Sequence, residues 1–462
     1  MSAELQSRRE PSDRLLSVEE ARRTVFESIA GPTRAEMVWL MEARGRVVAE
    51  PVWSPMALPP WDNSAMDGYA IRSGDVAAAK EDAPVRLEVI GEVRAGQAPD
   101  VTVRRDAAVR IATGAPVPPG ADAVVPVEGT TPLDEVGAAA GPRGRDATGP
   151  LPAAILVHTA TPVGGSIRPS GSDLAAGTRI LDAGAVLTPA TIGLVAGVGL
   201  DQILVHRRPI IGILATGDEV RAPGRDLGPA GIPDANGPSL VAMVEAAGGD
   251  PRVLGIAKDR LDDVRSRICA GLIEGADALI VSGGVSVGPY DVVRAAFEAY
   301  GTVDLWRVAV QPGKPFAFGT GRAPRGEGSD DRPATLLFGL PGNPVSTFVT
   351  FELFVRPAIR RLGGHRDDDL FRPTDRAVLA DPVSKSSGRR AFVRVTVERD
   401  ETGTPRRDDR GRVLASLAGG QGGQGSHVLS ALATADALAV IPESDDSLSP
   451  GAEVPVWWLD RA

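Results

Sequence analysis

Val18, Ala21, Val25 and Ile29 fall on one face at helical spacing, and Ser17 with Glu20 has the form of a capping box, so residues 16 to 30 predict an amphipathic helix. The same spacing continues through residues 34 to 50. Helical periodicity then stops. From Pro51 to about Val163 the chain is rich in Pro and Gly, with short β-type runs such as Val85 to Val93 and Ala107 to Thr113, which predicts a small β domain. Within it, residues 131 to 154 are Ala, Gly and Pro rich without a period and read as a mobile insertion with no function attached.

The middle of the chain alternates. Strands are expected at Arg208 to Thr216, Arg252 to Ala257, Ala278 to Val281, near Val303 to Val310, and at Thr335 to Phe338. Helices are expected at Pro238 to Ala247, Leu261 to Glu274, Val292 to Tyr300 and, as one long element, Pro344 to Leu362. Such alternation predicts a doubly wound, mostly parallel sheet, which binds ligands outside the carboxyl ends of its strands. After Gly363 and Gly364 the pattern returns to β, with Phe392 to Val397 alternating and Ala437 to Ile441 of buried type. The expected fold is α/β plus β and multidomain. An N-terminal helical/linker domain (1–55 and 160–205) carries an inserted β domain (56–159), followed by the α/β domain (206–365) and a C-terminal β domain (366–462).

Composition narrows the class. The chain has 462 residues, 43% hydrophobic and 24% charged, an ordinary globular balance with room for about three domains. No apolar run approaches the roughly 20 residues that span a bilayer. The first twenty residues carry charges but no apolar core of signal-peptide type. Cys269 is the only cysteine, which excludes an internal disulfide and a zinc site built from several cysteines. Together these features point to the cytoplasm and to no membrane partner. The net charge of -10 argues against general nucleic-acid binding. The four histidines are not spaced for a helical metal pair. Lysine occurs only at Lys80, Lys258, Lys314 and Lys385, so a lysine within a motif stands out.

Four loops at expected strand ends hold the candidate chemistry: Ala215 to Glu219, Ser282 to Gly288, Gln311 to Pro315, and Leu340 to Ser346. Glycine lets backbone approach a ligand, and a following helix aims N–H groups at an anion, so this sheet edge suits a phosphate-bearing ligand. There is no GxxxxGK[ST], and Gly283 to Gly288 does not match GxGxxG, so neither a P-loop nor an NAD site is supported. Asp218, Glu219, Asp259 and Asp291 lie in or near these loops. Carboxylates beside a phosphate site suit a divalent cation, and helix capping is the alternative for Asp291. The segment Pro59 to Ala70 adds two carboxylates, an amide and a hydroxyl between Trp61 and Tyr69.

In order along the chain stand PPWDNSAMDGYA (59–70), RIATGAPVPPGADAVVPVE (110–128), IRPSGSDLAAGTRIL (167–181), ATGDEV (215–220), VSGGVSVGPYD (281–291), QPGKPFAFG (311–319), LPGNPVS (340–346) and GQGSHVLSALATADALAVIP (423–442). Over nearly the whole chain these resemble the MoeA family, whose animal relative is the gephyrin E domain. The resemblance implies a MogA-like central domain that binds molybdopterin. It implies a transferase that inserts molybdate into adenylylated molybdopterin, releasing AMP with Mg2+ assistance. It also implies a homodimer whose site lies between the α/β domain of one subunit and the β domain of the other, with transient contact to the molybdopterin adenylyltransferase and to apo-molybdoenzymes. By resemblance, the catalytic residues are Asp62, Asp173, Glu219, Asp259 and Lys314. Glu219, Asp259 and Asp291 would hold the metal. Substrate binding falls to Thr216, Gly217, Asp218, Asn236, Ser282, Gly283, Gly284, Ser286 and Gly288, and further along to Pro341, Gly342, Asn343, Ser346, Arg389 and Ser426.

This chain departs from the family pattern at Gln311, where many relatives carry a second lysine; the amide keeps hydrogen bonding but loses charge. Arg390 and Arg394 compete with Arg389 for the arginine role. Three alternatives stay open at this point: an adenylyltransferase on the same α/β module, whose stand-alone members lack the flanking β domains; a tungsten-inserting enzyme; and a peptide-gripping scaffold, which would have no need of the acidic residues.

Overall fold

A computed structural model of the protein describes residues 15–144, 149–284, 292–324 and 332–459. The first helix spans Val18–Glu27, and its capping box is formed: the Glu20 N–H donates to Ser17 Oγ and the Ser17 N–H donates to Glu20 Oε2. Residues 34–50 do not continue as helix. Ala35–Trp39 is a strand, paired antiparallel with Gln202–His206, and a 3-10 turn follows at Leu40–Glu42. Val38 and Leu40 bury against Ile203 and Val205, so cross-strand packing overrides the local spacing.

The inserted region is a six-stranded sheet in the order Ala123–Pro126, Gly68–Ile71, Ala107–Ile111, Val85–Val93, Ala154–Val157, Thr130–Leu133. The last two strands pair antiparallel, so both ends of the stretch expected to be a mobile insertion are ordered sheet. Ile155 and Val157 are fully buried there, and their burial fixes the pairing face.

The central sheet is ordered Asp250–Ala257, Ile210–Thr216, Ala278–Ser282, Thr335–Leu340, Pro315–Gly321, Gly301–Arg307. The first four strands are mutually parallel. Pro315–Gly321, which the periodicity does not predict, is antiparallel to both neighbours. Side chains alternate between two cores. Ile211, Ile213, Ile280 and Phe338 face a layer with Leu240 and Val349, while Leu214, Leu279, Val281 and Leu337 face Val264, Ile268 and Phe297. Helices therefore cover both faces, as a doubly wound sheet requires. The long helix runs as Pro344–Thr350, a π segment Phe351–Val355, and Arg356–Leu362.

In the C-terminal domain the strands Arg390–Val397, Val413–Leu417, Thr374–Leu379, Glu453–Trp458 and Ala437–Ile441 follow one another, and the first also pairs with the last, closing a barrel. The α/β domain adds Val310–Gln311 in parallel to Arg390–Val397. Phe392 and Leu438 leave the barrel interior and join the core that holds Val18, Val25 and Phe338. No helix among the described residues is long and apolar enough to cross a membrane.

Candidate active site

The carboxyl edge of the central sheet gathers three of the four loops directly, because Ile210–Thr216, Ala278–Ser282 and Thr335–Leu340 all end there. The fourth, ending at Lys314, arrives by a different route. It precedes a reversed strand, so the beginning of Pro315–Gly321 lies at the same edge where its neighbours end.

Thr216 is buried, and its Oγ1 has no hydrogen-bond partner among the described residues. Gly283 sits against it with φ +98, and a Cβ there would meet the Thr216 carbonyl oxygen at 2.6 Å. Only glycine fits this approach. Asn236, at the start of the Asn236–Ala246 helix, donates from Nδ2 to Ser282 Oγ and to the Gly342 carbonyl, both at 2.8 Å. Its amide thus ties two loops together. The sequence reading missed Thr347, whose hydroxyl donates to the carbonyls of Pro341 at 2.5 Å and Asn343 at 3.1 Å and shapes the Pro341–Asn343 turn. Its signal was a hydroxyl one turn into the helix, where Ser and Thr commonly bond back to the preceding turn. Ser346 is buried in the first turn of that helix.

Asp218 and Asp259 face each other across two adjacent loops: each backbone N–H points at the other's carboxylate at 3.4 Å. Burial raises the pKa of Asp259, and the nearby charges of Asp218 and Glu219 raise it further, against the lowering effect of Asp218's N–H and of Lys258. Such a pair of repelling hard oxygen donors suits a divalent cation chemically. Among the described residues, however, no three Asp, Glu, His or Cys side chains are grouped closely enough to hold a metal. Asp291, Ser286 and Gly288 lie outside the described residues. Because its folded-state pKa is raised, Asp259 favours the folded state only when protonated, and that contribution is lost as pH rises through its pKa. Asp259→Asn is therefore expected to raise the melting temperature at neutral pH and to leave it unchanged at acid pH, measured by calorimetry at both.

The C-terminal domain reaches this edge through Ser426. Asn343 Nδ2 donates to Ser426 Oγ at 3.2 Å, and the Val345 N–H donates to the Ser426 carbonyl at 3.1 Å. The three arginines separate by contact. Arg390 pairs with Glu19 and with Glu443. Arg394 is almost wholly buried, donates to the carbonyls of Gly423 and Gly425, and has its pKa lowered to about 10 by desolvation. It holds the backbone just before Ser426. Arg389, half-buried, has no ion-pair partner among the described residues.

Asp62 and Asp173 come together elsewhere. Asp62 Oδ1 accepts the Ser170 N–H at 2.7 Å, and the Asp173 N–H donates to the Leu58 carbonyl at 3.1 Å, so both lie on one pair of crossing turns. Both are exposed, beside a half-exposed Trp61. Asp67 in the same motif is structural: its Oδ1 accepts both the N–H and the hydroxyl of Thr113. Among the described residues, no hydrogen bond joins Asp62 or Asp173 to the central sheet's loops.

Comparison with known proteins covers the same regions. A family model described as MoeA N-terminal region (domain I and II) matches residues 16–199. One described as probable molybdopterin binding domain matches 212–361, and MoeA C-terminal region (domain IV) matches 376–459. Molybdopterin molybdenumtransferase 2 of Mycobacterium tuberculosis (strain ATCC 25618 / H37Rv) is 36% identical over 450 residues, covering 96% of this chain and 99% of that protein. Molybdopterin molybdenumtransferase of Haemophilus influenzae is 32% identical over 442 residues, covering 96% and 98%. The crystal structure of a molybdopterin biosynthesis MoeA protein from Pyrococcus horikoshii superposes with a TM-score of 0.74 at 28% identity, covering 96% of this chain and 99% of that one. With three successive family models matched in order and relatives aligned over nearly their full length, the chain belongs to the MoeA family.

Proposed function

We propose that the chain is a molybdopterin molybdenumtransferase, a transferase of molybdenum cofactor biosynthesis that inserts molybdate into adenylylated molybdopterin and releases AMP. The observation that carries this reading is the shared sheet edge. Four loops, with Ser426 from the C-terminal domain, converge where a polyanionic pterin must be held.

In this reading the glycine loops at Ser282–Gly284 and Pro341–Asn343 bind the pterin phosphate through backbone N–H groups, in the manner of other phosphate-binding loops. Asn236 keeps the two loops in register, Lys314 supplies a positive charge, and Ser426 with Arg389 approaches from the C-terminal side. Thr216 Oγ1 offers an unspent hydroxyl to the ligand. Of the described residues only Asp218 and Asp259 are brought face to face, so they would lend two carboxylates toward Mg2+, which when bound would supply charge neutralisation at the phosphoryl oxygens. Asp62 and Asp173 act on the opposite side of the substrate. The homodimer that the family resemblance implies, in which one subunit's turns face the other's sheet edge, would bring them to the substrate.

The test is AMP release from adenylylated molybdopterin with magnesium, with and without molybdate, followed by reconstitution of an apo-molybdoenzyme. Molybdate-dependent release is expected. Tungstate in parallel separates a molybdenum from a tungsten enzyme, and absence of release with any oxyanion from folded protein would sink the proposal. Asn236→Ala is expected to raise KM for the pterin substrate about tenfold, the loss expected when a doubly used donor is removed. An unchanged KM in steady-state kinetics would remove Asn236 from this role.

A further inference from the structure

Gln311 ends the short Val310–Gln311 strand that the α/β domain contributes to the C-terminal sheet. Its Oε1 accepts a 3.0 Å hydrogen bond from the backbone N–H of Ser386. Ser386 belongs to the segment Ser384 to Arg390, SKSSGRR, which has three cationic side chains and no acid. Ser384, Ser386, Ser387 and Gly388 are exposed, so no apolar anchor holds this loop. Its stem is fixed by the Val383–Ser384 pairing with Ser447–Leu448 and by the Arg390 N–H donating to the Ala309 carbonyl. The Gln311–Ser386 bond is the one side-chain tie, among the described residues, between the 311–315 turn and the 384–389 loop. Lys385 Nζ lies 3.5 Å from the carbonyls of Ser386 and Glu443, which keeps its ammonium one peptide from the tie. Lys314 lies three residues beyond Gln311 on the other side. Two of the four lysines in the chain thus flank this single hydrogen bond.

An amide whose oxygen is engaged has its orientation set. We propose that Gln311 is a positioning residue: it latches the 384–389 loop beside Lys314, so that Lys385 and Arg389 add their charge to the anion-binding edge from the C-terminal domain of the same chain. This deepens the reading of the edge as an oxyanion and phosphate site and rests on it. A tight turn of exposed serines and glycine has many conformations in reach, and a single bond at its centre removes much of that freedom.

The test uses the full-length variants Gln311→Leu, Ser386→Pro and their combination, with Gln311→Glu as the variant that keeps the acceptor. Sodium molybdate alone is titrated by calorimetry at two ionic strengths, and amide hydrogen exchange is followed over residues 384–390. Gln311→Leu is expected to speed exchange in the loop, weaken molybdate binding about fivefold, as loss of one neutral hydrogen bond implies, and flatten the ionic-strength dependence. Ser386→Pro, which removes the donor and no charge, is expected to reproduce the weakened binding, and the double variant to be no worse than either. Gln311→Glu is expected to keep parental exchange. Additive losses, or weakened molybdate binding with parental exchange in Gln311→Leu, would overturn the latch and make Gln311 a direct ligand. Neither readout needs turnover, so failure of the transferase reading is separable from failure of the latch.

Discussion

Asp62→Ala is expected to lower molybdate-dependent AMP release by at least about 100-fold, the low end for removal of a charged or proton-transferring group, while the protein stays folded and of parental size. The carboxylate is exposed and, among the described residues, its one hydrogen-bond partner is the Ser170 N–H, so no core contact is lost. What the side chain does offer is a negative charge beside Trp61, on a turn shared with Asp173. Asp62→Asn separates charge from shape. Asparagine still accepts from Ser170, so a purely structural Asp62 would be rescued by it, whereas a functional carboxylate would not. AMP quantified by chromatography, with light scattering for size, decides the matter. Turnover retained in Asp62→Ala would remove Asp62 from the site.

The second large effect concerns stability. Glu352 lies in the π segment and is 3% exposed, with Arg372 bound to both its oxygens at 2.7 and 3.0 Å. Arg356 approaches the same carboxylate at 3.7 Å. Glu352→Ala removes a buried carboxylate that Arg372 grips at both oxygens and is expected to cost about 3–5 kcal/mol. Urea unfolding of the full chain measures this, and a midpoint equal to the parent's would refute it. Arg372 directly precedes the C-terminal barrel, so the variant is also expected to loosen that domain before the central sheet. Limited proteolysis at sub-denaturing urea would show cleavage after residue 362 first.

Much of the α/β domain was legible because its strands are buried on both faces and bounded by Gly and Pro, as at Ile210–Thr216 and Ala278–Ser282. The glycine loops were legible for the same reason, since glycine before a helix marks close approach. Elements set by distant pairing were not. Ala35–Trp39 has helical spacing, yet its partner lies more than 160 residues away at Gln202–His206. The strand Pro315–Gly321 begins with proline and carries two glycines, so nothing local marks it; Phe316 and Phe318 reveal it only once their aromatic neighbours Phe338 and Phe354 are in place. Among candidate site residues, the motifs single out Asp62, Lys314 and Ser426, but not what they touch. That Asn236 bridges two loops, that Thr347 shapes one of them, and that Arg394 holds the backbone before Ser426 all depend on contacts between distant parts of the chain or on side-chain direction.

The core shared by Val18, Val25, Phe338 and Leu438 sets an order of events during synthesis. The first helix leaves the ribosome with its apolar face bare. Its nearest partners in the sheet follow some 200 residues later, and the last of them, in the barrel, only after about 400. At the usual elongation rate of roughly 5–20 residues per second, that face waits on the order of 20–80 s for its full complement of neighbours. The early helix is thus a long-lived sticky segment, and its contact with the barrel is the last of that core to close.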